Sequence, residues 1–346
     1  MGGAASPKAK KASPKAKRAA SPKLSKVKAG AQPSSPKVKP GSPKNKKKSP
    51  KPRGKAINSP DQDSPVGAEW PTGEASEDGA SPSTSDIESS LENMSLQSSR
   101  GSFGSVINVL KHGTPEQKEN AAGVLLKAAA TSEDAQERIA ESGGIEPLIE
   151  LCKNGTEGQK HNASGALSFL SRNDENAVAI FQLGGLAPLI ALLIAGTPMQ
   201  REFSAGTLVN LAFDDDVADE MARAGVVPPL MIMAAQGTAG QKVRAAACLR
   251  NLAFAEDIAV EIAQLGVEPL VALVQSGSAA AKEQAAGCLG NLGLVQQNRI
   301  AIVRAGGYHA LSQLVVYGTA AQREVAAAAL QVLAHADEVA VVVKRG

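Results

Sequence analysis

Aromatic residues are scarce in this chain of 346 residues: Phe, Trp and Tyr together make up 3% of it, and there is one Trp. The apolar side chains are mainly Leu, Ala, Val and Ile, with Gly between them. A core of this kind suits packed helices better than a β-sheet. The composition therefore predicts an all-α protein.

Cysteine and long hydrophobic runs are scarce as well. The three cysteines, Cys152, Cys248 and Cys288, show no paired spacing, which predicts free thiols in a reducing, intracellular compartment. The longest apolar runs, such as residues 183–195, are interrupted by Gly and Pro and are shorter than the roughly 20 residues of a membrane-spanning helix. The sequence thus predicts no transmembrane segment.

Acidic residues are absent from residues 1–60, which hold eighteen Lys and Arg. Residues 61–100 hold nine acids and one base, and residues 101–346 hold eighteen bases and twenty-five acids, a net charge of −7. These shifts divide the chain into a basic tail (1–60), an acidic, Ser-rich linker (61–100) and a body (101–346). The tail and the linker have too few large apolar side chains to offset the entropy of ordering, so both are predicted to be disordered.

The tail repeats the tripeptide Ser-Pro-Lys, which resembles the tails of linker histones and a set of proline-directed kinase sites. Each phosphate adds a charge of about −1.5 to −2 at pH 7, so six phosphates would cancel roughly half or more of the tail's positive charge. The candidate phosphorylation sites are Ser6, Ser13, Ser21, Ser35, Ser42 and Ser49.

Besides a solubilising linker, three functions of the tail remain open. A basic cluster that resembles a nuclear-localisation signal predicts a nuclear or nucleocytoplasmic protein. The same charge suits non-specific binding to DNA or RNA phosphates, as in a chromatin-associated protein. Residues 1–6 match the loose N-myristoylation pattern, which would tether a cytoplasmic scaffold to a membrane, although Pro7 disfavours that modification. The basic cluster comprises Lys44, Lys46, Lys47, Lys48, Lys51, Arg53 and Lys55.

The body repeats with a period of about 41 residues. In each period a Gly, usually followed by Thr, precedes a Leu by twelve residues, and a second Leu commonly stands three residues further on. The glycines are Gly113, Gly155, Gly196, Gly237, Gly277 and Gly318, and the first leucines are Leu125, Leu167, Leu208, Leu249, Leu289 and Leu330.

Each period predicts a short, a medium and a long helix. Pro starts the medium helix, Gly ends it, and the Leu stripe marks the buried face of the long helix. Acids such as residues 214–216 cap the short helix that follows. Because one unit cannot bury its own apolar stripe, the units are predicted to stack into a solenoid. The predicted units are 101–131 (partial), 132–172, 173–213, 214–254, 255–294 and 295–335. Residues 336–346 are expected either to cap the stack or to mark the chain as a fragment of a longer array.

The long helices share a signature, Ala-Ala-Ala-Cys-Leu-Arg-Asn-Leu-Ala at 245–253, with variants at 204–212 and 285–293. In these motifs the body resembles the armadillo family, and it is more similar to vacuolar and plant armadillo scaffolds and to β-catenin than to importin-α. The resemblance implies a right-handed α-solenoid of armadillo repeats. It also implies a non-enzymatic scaffold or adaptor that holds an extended peptide segment of a partner protein in a concave groove. It does not indicate an oligomeric state.

In that family the long third helices line the groove, and the resemblance points to two columns of residues here. Asn amides offer hydrogen-bond donors and acceptors to a partner's main chain, but near a helix end they also bond across repeats and staple the stack. Both interpretations of the Asn column stay open. The column comprises Asn210, Asn251 and Asn291, and the neighbouring specificity positions are Asn162, Phe203, Arg244 and Gln284.

The groove positions that carry Trp in importin-α-like arrays are small here: Gly206, Ala247 and Gly287. The aromatic slots that grip a lysine side chain are therefore absent, and an adaptor for basic nuclear signals is not favoured.

A basic residue recurs in the first turn of every long helix, where a positive charge is disfavoured by the helix dipole. This column either meets an acidic partner or is a solvated face neutralised by the acids that follow it, such as Glu119 and Glu202. Its members are Lys118, Lys160, Arg201, Lys242, Lys282 and Arg323.

No pattern of catalytic residues stands out. The four histidines, His112, His161, His309 and His335, lack metal-ligand spacing. Cys248 and Cys288 occupy equivalent repeat positions, which indicates small core residues rather than nucleophiles. The sequence therefore predicts no enzymatic activity, no metal and no cofactor.

Overall fold

The computed structural model describes residues 103–334, which form 17 α-helices and no strand. The predicted all-α class and the solenoid of helical repeats are confirmed over this range. The basic tail and the acidic linker, with the candidate phosphorylation sites and nuclear signal, lie outside the described residues, as do His335 and the predicted cap at 336–346. What the sequence indicates for those segments stays a prediction.

Three kinds of helix alternate along the described residues. The five short helices are α3 (Glu133–Glu141), α6 (Asp174–Gln182), α9 (Asp215–Arg223), α12 (Glu256–Gln264) and α15 (Gln296–Arg304). The medium helices are α1 (Gly104–His112), α4 (Ile145–Asn154), α7 (Leu186–Ala195), α10 (Val227–Gln236), α13 (Glu268–Ser276) and α16 (Gly307–Tyr317). The long helices are α2 (Pro115–Thr131), α5 (Glu157–Leu170), α8 (Pro198–Leu211), α11 (Ala239–Leu252), α14 (Ala279–Leu294) and α17 (Ala320–Ala334).

The recurring Gly-Thr pair makes the sharp turn from a medium to a long helix. Gly155 is extended (φ −72°, ψ 168°), and a Cβ there would lie 2.5 Å from the carbonyl oxygen of Leu151. Glycine is therefore required by the close approach of the backbone, not by a left-handed conformation. Thr156 then caps α5: its hydroxyl accepts from the Gln159 N–H, and the Gln159 side chain accepts from the Thr156 N–H.

A different glycine makes the turn from a short to a medium helix. Gly225, between α9 and α10, has φ +76°, a left-handed conformation that other residues rarely adopt. At the start of α9, Asp214 accepts a hydrogen bond from the Val217 N–H, as the acid run at 214–216 predicts. Equivalent left-handed glycines are Gly143, Gly184, Gly266 and Gly306.

Stacking buries one continuous core along the described residues. Each long helix packs against the medium helix before it and against the long helix of the next unit. Five of the six first-column leucines are fully buried, and Leu330 near the end of the described range is half-buried. No single helix among residues 103–334 is long and apolar enough to cross a bilayer; α6 and α7 reach that length and composition only as a pair bent by 90°.

Glutamine side chains tie successive long helices together at their N-terminal ends. The Nε2 of each glutamine donates to the carbonyl of the first residue of the preceding long helix, at 2.7–2.9 Å. The same glutamine completes the capping box of its own helix, so one side chain serves two helices. The four inter-repeat pairs are Gln159 with Pro115, Gln200 with Glu157, Gln241 with Pro198, and Gln322 with Ala279.

Candidate functional site

The candidate site is the surface formed by the C-terminal two-thirds of the six long helices, which we call the long-helix face. Positions five residues before and two residues after each first-column Leu fall on it. The predicted specificity residues follow one another along this face, each reaching towards the preceding long helix: Asn162, Phe203, Arg244 and Gln284.

Gly206, Ala247 and Gly287 stand where importin-α-like arrays carry Trp, and these small residues leave room for side chains of the array itself. A Cβ at Gly206 would lie 2.6 Å from Ser168 Oγ and 3.9 Å from Arg244 Nε, and a Cβ at Gly287 would lie 2.7 Å from Arg250 Nε. Arginines of the chain therefore occupy the neighbourhood that an aromatic slot would offer to a partner's lysine.

The Asn column makes the inter-repeat contacts that the stapling interpretation predicts. Asn251 Nδ2 donates to the Val209 carbonyl at 3.0 Å, and Asn291 Nδ2 donates to the Arg250 carbonyl at 2.9 Å. Only 9% of Asn251 and 1% of Asn291 is exposed. These amides therefore make the stapling contacts, and a direct partner contact at the two residues stays a prediction.

The remaining predicted groove residues divide by burial. Phe203 is 4% exposed and packs edge-on against His161, with ring centroids 5.5 Å apart, so it supports the face from beneath. Asn162 and Asn210 are half-buried and donate to the Glu119 carbonyl and to Ser171 Oγ, each at 3.0 Å. Gln284, also half-buried, accepts from Arg250 Nη1 at 3.3 Å. A partner contact at these half-buried residues stays a prediction.

A cluster of arginines at the centre of the long-helix face was not predicted as such. The guanidinium of Arg172 lies 4.6 Å from the centroid of the Phe169 ring, a cation–π contact that holds it in place. Burial lowers the pKa of Arg244, the charge of Glu202 raises it, and the nearby Arg172 lowers it further. Arg250, 4% exposed, lies in α11 with Arg244 and reaches the next long helix, where its Nη1 donates to Gln284 Oε1 at 3.3 Å. Arg172 and Arg250 were missed because the sequence analysis followed only the Asn column and the positions that carry Trp in importin-α-like arrays. Arg250 nevertheless stands within the signature at 245–253.

The basic column lies along the N-terminal edge of the long helices. Four of its members are half-buried, and Arg201 and Arg323 are exposed. None of the six forms an ion pair with another residue of 103–334. A role in binding an acidic partner stays a prediction. The half-buried members are Lys118, Lys160, Lys242 and Lys282.

All three cysteines are buried. For Cys248 and Cys288 this is the core position that their recurrence in the repeat predicts. Burial raises the pKa of Cys152 and of Cys288 to about 12, while Lys160 and Arg250 respectively act in the opposite direction. Burial also raises the pKa of Cys248. No group of three or more His, Cys, Asp or Glu among the described residues is arranged to hold a metal ion.

We expect all three thiols to resist alkylation in the folded protein. A pKa raised from 9.0 to about 12 lowers the thiolate fraction at pH 8 by about a thousandfold. Iodoacetamide labelling read by mass spectrometry should be at least about 100-fold slower in the native protein than in urea-unfolded protein at the same pH. Because the folded pKa is the higher one, the stability linked to these thiols is fully present below pH 9 and falls as the pH rises towards 12. Labelling of any one thiol at the unfolded rate would contradict this assignment.

The comparisons with known proteins agree with this architecture. The family model described as Armadillo/beta-catenin-like repeat matches residues 256–293. No curated protein matches the chain. The similar solved structures include an engineered protein that is 26% identical to this chain, with a TM-score of 0.62. The match covers 67% of this chain and 96% of the engineered protein.

Two further similar structures are designed proteins. The designed armadillo repeat protein YIII(Dq)4CqI is 21% identical, with a TM-score of 0.63 over 67% of this chain and 99% of its own. The designed armadillo repeat protein YIII(Dq.V1)4CPAF, in complex with the peptide (KR)4, is 19% identical, with a TM-score of 0.61 over 67% of this chain and 100% of its own.

Proposed function

We propose that this chain, whose residues 256–293 match an armadillo repeat and whose fold is that of armadillo repeat proteins, is a protein-binding scaffold that holds an extended segment of a partner along its long-helix face. Designed armadillo proteins of the same fold were made for modular peptide recognition, and one of them is in complex with the peptide (KR)4. Their likeness to this chain concerns the fold, so binding by this chain is argued from its own residues.

The observation that carries the proposal is the central arginine cluster. Arg172 follows α5, whereas Arg244 and Arg250 both lie in α11, so these arginines come from two units with a third between them. Arg172 is exposed while its guanidinium is held on the Phe169 ring. Fixing a long charged side chain in advance reduces the entropy that a partner must overcome on binding. The half-buried Asn162, Asn210 and Gln284 extend this polar surface over neighbouring long helices.

The charge of the cluster indicates the chemistry of the partner. Glu202 is the acid that interacts with Arg244. Desolvation raises the pKa of Glu202, whereas the charge of Arg244 and the hydrogen bond that Glu202 accepts from Thr238 lower it. Glu133 and Glu283 act in the same way on Arg172 and Arg250, respectively. Of the three arginines, Arg172 is the exposed one and therefore the one that a partner can reach. A lysine-rich segment would meet like charge here, whereas Asp or Glu would pair with Arg172 through charge-assisted hydrogen bonds. We therefore assign an acidic extended segment to this face, in contrast to the (KR)4 peptide of the designed protein.

The basic tail completes the proposal as a targeting segment, with nuclear location under the control of phosphorylation at its Ser-Pro-Lys sites. What supports it is the composition of residues 1–60, with eighteen bases and no acid. The chromatin-associated and membrane-tethered alternatives for the tail use the same charge in other ways.

The role of the long-helix face can be tested by phage display, in which the full chain selects binders from a library of random dodecapeptides. We expect the peptides selected by the full chain to be enriched in Asp and Glu. Arg172→Glu should weaken them by at least about tenfold, because it replaces an attraction by a repulsion. Isothermal titration calorimetry with synthetic peptides measures the effect.

Arg304→Glu provides a matched control for that experiment. It makes the same change of charge at an exposed site on the short helix α15, away from the long-helix face. Peptide affinity should stay within about twofold of that of the unmodified chain at physiological salt, where the Debye length is about 8 Å. Selection of basic peptides, or an equal loss with both variants, would refute the assignment of an acidic segment to this face.

A further inference from the structure

The glutamine pairs between long helices are interrupted at one junction. Where α11 meets α14, the position held elsewhere by glutamine is Ala281. Ser278 still caps α14 by accepting from the Ala281 N–H, but no side chain returns to the Ser278 N–H to complete a capping box. The carbonyl of Ala239, the first residue of α11, receives no side-chain donor either.

A cleft of about 500 Å3 lies at this junction. One wall comes from the end of α10 and the start of α11, and the other from α13 and the start of α14. The cleft opens to solvent. Among the lining residues are Ala239, Lys242, Glu268, Gly277, Ser278 and Ala281. The cleft is therefore lined by both residues, Ala239 and Ser278, whose backbone groups lack the glutamine partner seen at the other junctions.

The other junctions show which chemistry satisfies these two groups. At Gln159, Gln200, Gln241 and Gln322 the side-chain amide donates to the first-residue carbonyl at 2.7–2.9 Å and accepts from the capping residue's N–H at 3.0–3.1 Å. A primary carboxamide has one donor group and one acceptor in the fixed geometry that this pair of backbone groups requires.

We propose that the cleft between α11 and α14 is a docking site for a glutamine side chain of a partner protein. The incoming amide donates to the Ala239 carbonyl and accepts from the Ser278 N–H, which completes the pattern of the other four junctions. This site lies at the N-terminal edge of the long helices and is separate from the arginine cluster, so a partner that extends across that edge gains a second point of contact.

Glutamate is the closest competitor for the cleft, and the site discriminates against it. A carboxylate has no hydrogen to donate to the Ala239 carbonyl and would place a second acceptor against it. Glu268 on the wall adds repulsion, whereas Lys242 attracts a carboxylate. The choice between amide and carboxylate is therefore the sharpest test of the site.

The experiment uses N-acetyl-glutamine N-methylamide as the probe, with the full chain labelled by 15N. We expect a saturable shift of the Ser278 amide resonance at millimolar probe concentrations, at least about fivefold tighter than the shift caused by N-acetyl-glutamate N-methylamide. Equal responses to the two probes, or no response of Ser278, would overturn the proposal.

Three substitutions make the test specific to the missing side chain. Ala281→Gln supplies the amide from the chain itself, so it should weaken probe binding at Ser278 by at least about tenfold; Ala281→Leu fills the same space without hydrogen bonds and should also exclude the probe. Gln200→Ala opens the equivalent junction between α5 and α8, and the probe should then shift the Thr197 amide. Unchanged probe binding in both Ala281 variants would show that the cleft is not the site. Arg172→Glu should leave probe binding unchanged, which separates this site from the long-helix face.

Discussion

Replacing Leu208 by Ala should lower the free energy of unfolding by about 2–5 kcal/mol, the range for a fully buried Leu whose surroundings collapse only partly. Leu208 is 0% exposed, in the first Leu column of α8, at the middle of the stack. The side chain belongs to the continuous core, and the units on both sides lose contacts together. Because each unit is stabilised mainly by its neighbours, a defect at the centre should also broaden the transition.

Urea unfolding followed by circular dichroism at 222 nm measures this effect. Leu294→Ala is the matched control: it removes the same atoms from the end of α14, where the side chain is 50% exposed, and should cost less than about 1 kcal/mol. If Leu208→Ala lowered the free energy of unfolding no more than Leu294→Ala does, the first Leu column would not form the stabilising core of the stack.

Replacing Asn251 and Asn291 together by Ala should lower the free energy of unfolding by about 2–6 kcal/mol, since each lost bond to a buried carbonyl costs about 1–3 kcal/mol. Their Nδ2 atoms bond to the carbonyls of Val209 and Arg250, in the preceding long helix and 41–42 residues earlier in the chain. Asn291 Oδ1 is buried without a hydrogen-bond partner, so the net cost at that residue should lie in the lower half of the range.

Asn210→Ala separates stapling from contact with a partner. Its half-buried amide donates to Ser171 Oγ rather than to a buried carbonyl, and its removal should cost about 1 kcal/mol or less. Chemical unfolding gives the stability of each variant, and titration with the selected peptides gives its affinity. If the double variant kept its full stability and lost only peptide affinity, the stapling role of Asn251 and Asn291 would be wrong.

The helical repeat was predictable from the sequence because local signals and the apolar period agree. Thr and Asp caps, the Gly after each medium helix and the spacing of leucines act within one or two turns of helix, and the structure places Asp214, Gly155 and Leu208 as those signals indicate. The conformation of Gly155 was not predictable in this way: its need for glycine comes from the approach of the Leu151 carbonyl, a contact created by the angle between two helices.

The glutamines show why much of the site was not predictable. The spacing Thr-x-x-Gln at Thr197 and Gln200 is a visible capping box, but the second bond of Gln200 reaches Glu157, 43 residues earlier. Only stacking brings these two atoms together. The missing glutamine at Ala281 therefore becomes a cleft only once the helices are packed, and in sequence it is a single substitution among six similar units.

The sequence by itself determined that the body of this protein is a stack of three-helix units, because helix caps, turn glycines and an apolar period are local properties of the chain. Tertiary structure alone decided which polar residues hold the stack together and which stay accessible at its surface. Asn251 and Asn291 are buried against residues 42 and 41 positions earlier, and Arg172 lies near Arg244, which is 72 positions later in the chain. These contacts depend on distances between helices that no local pattern encodes.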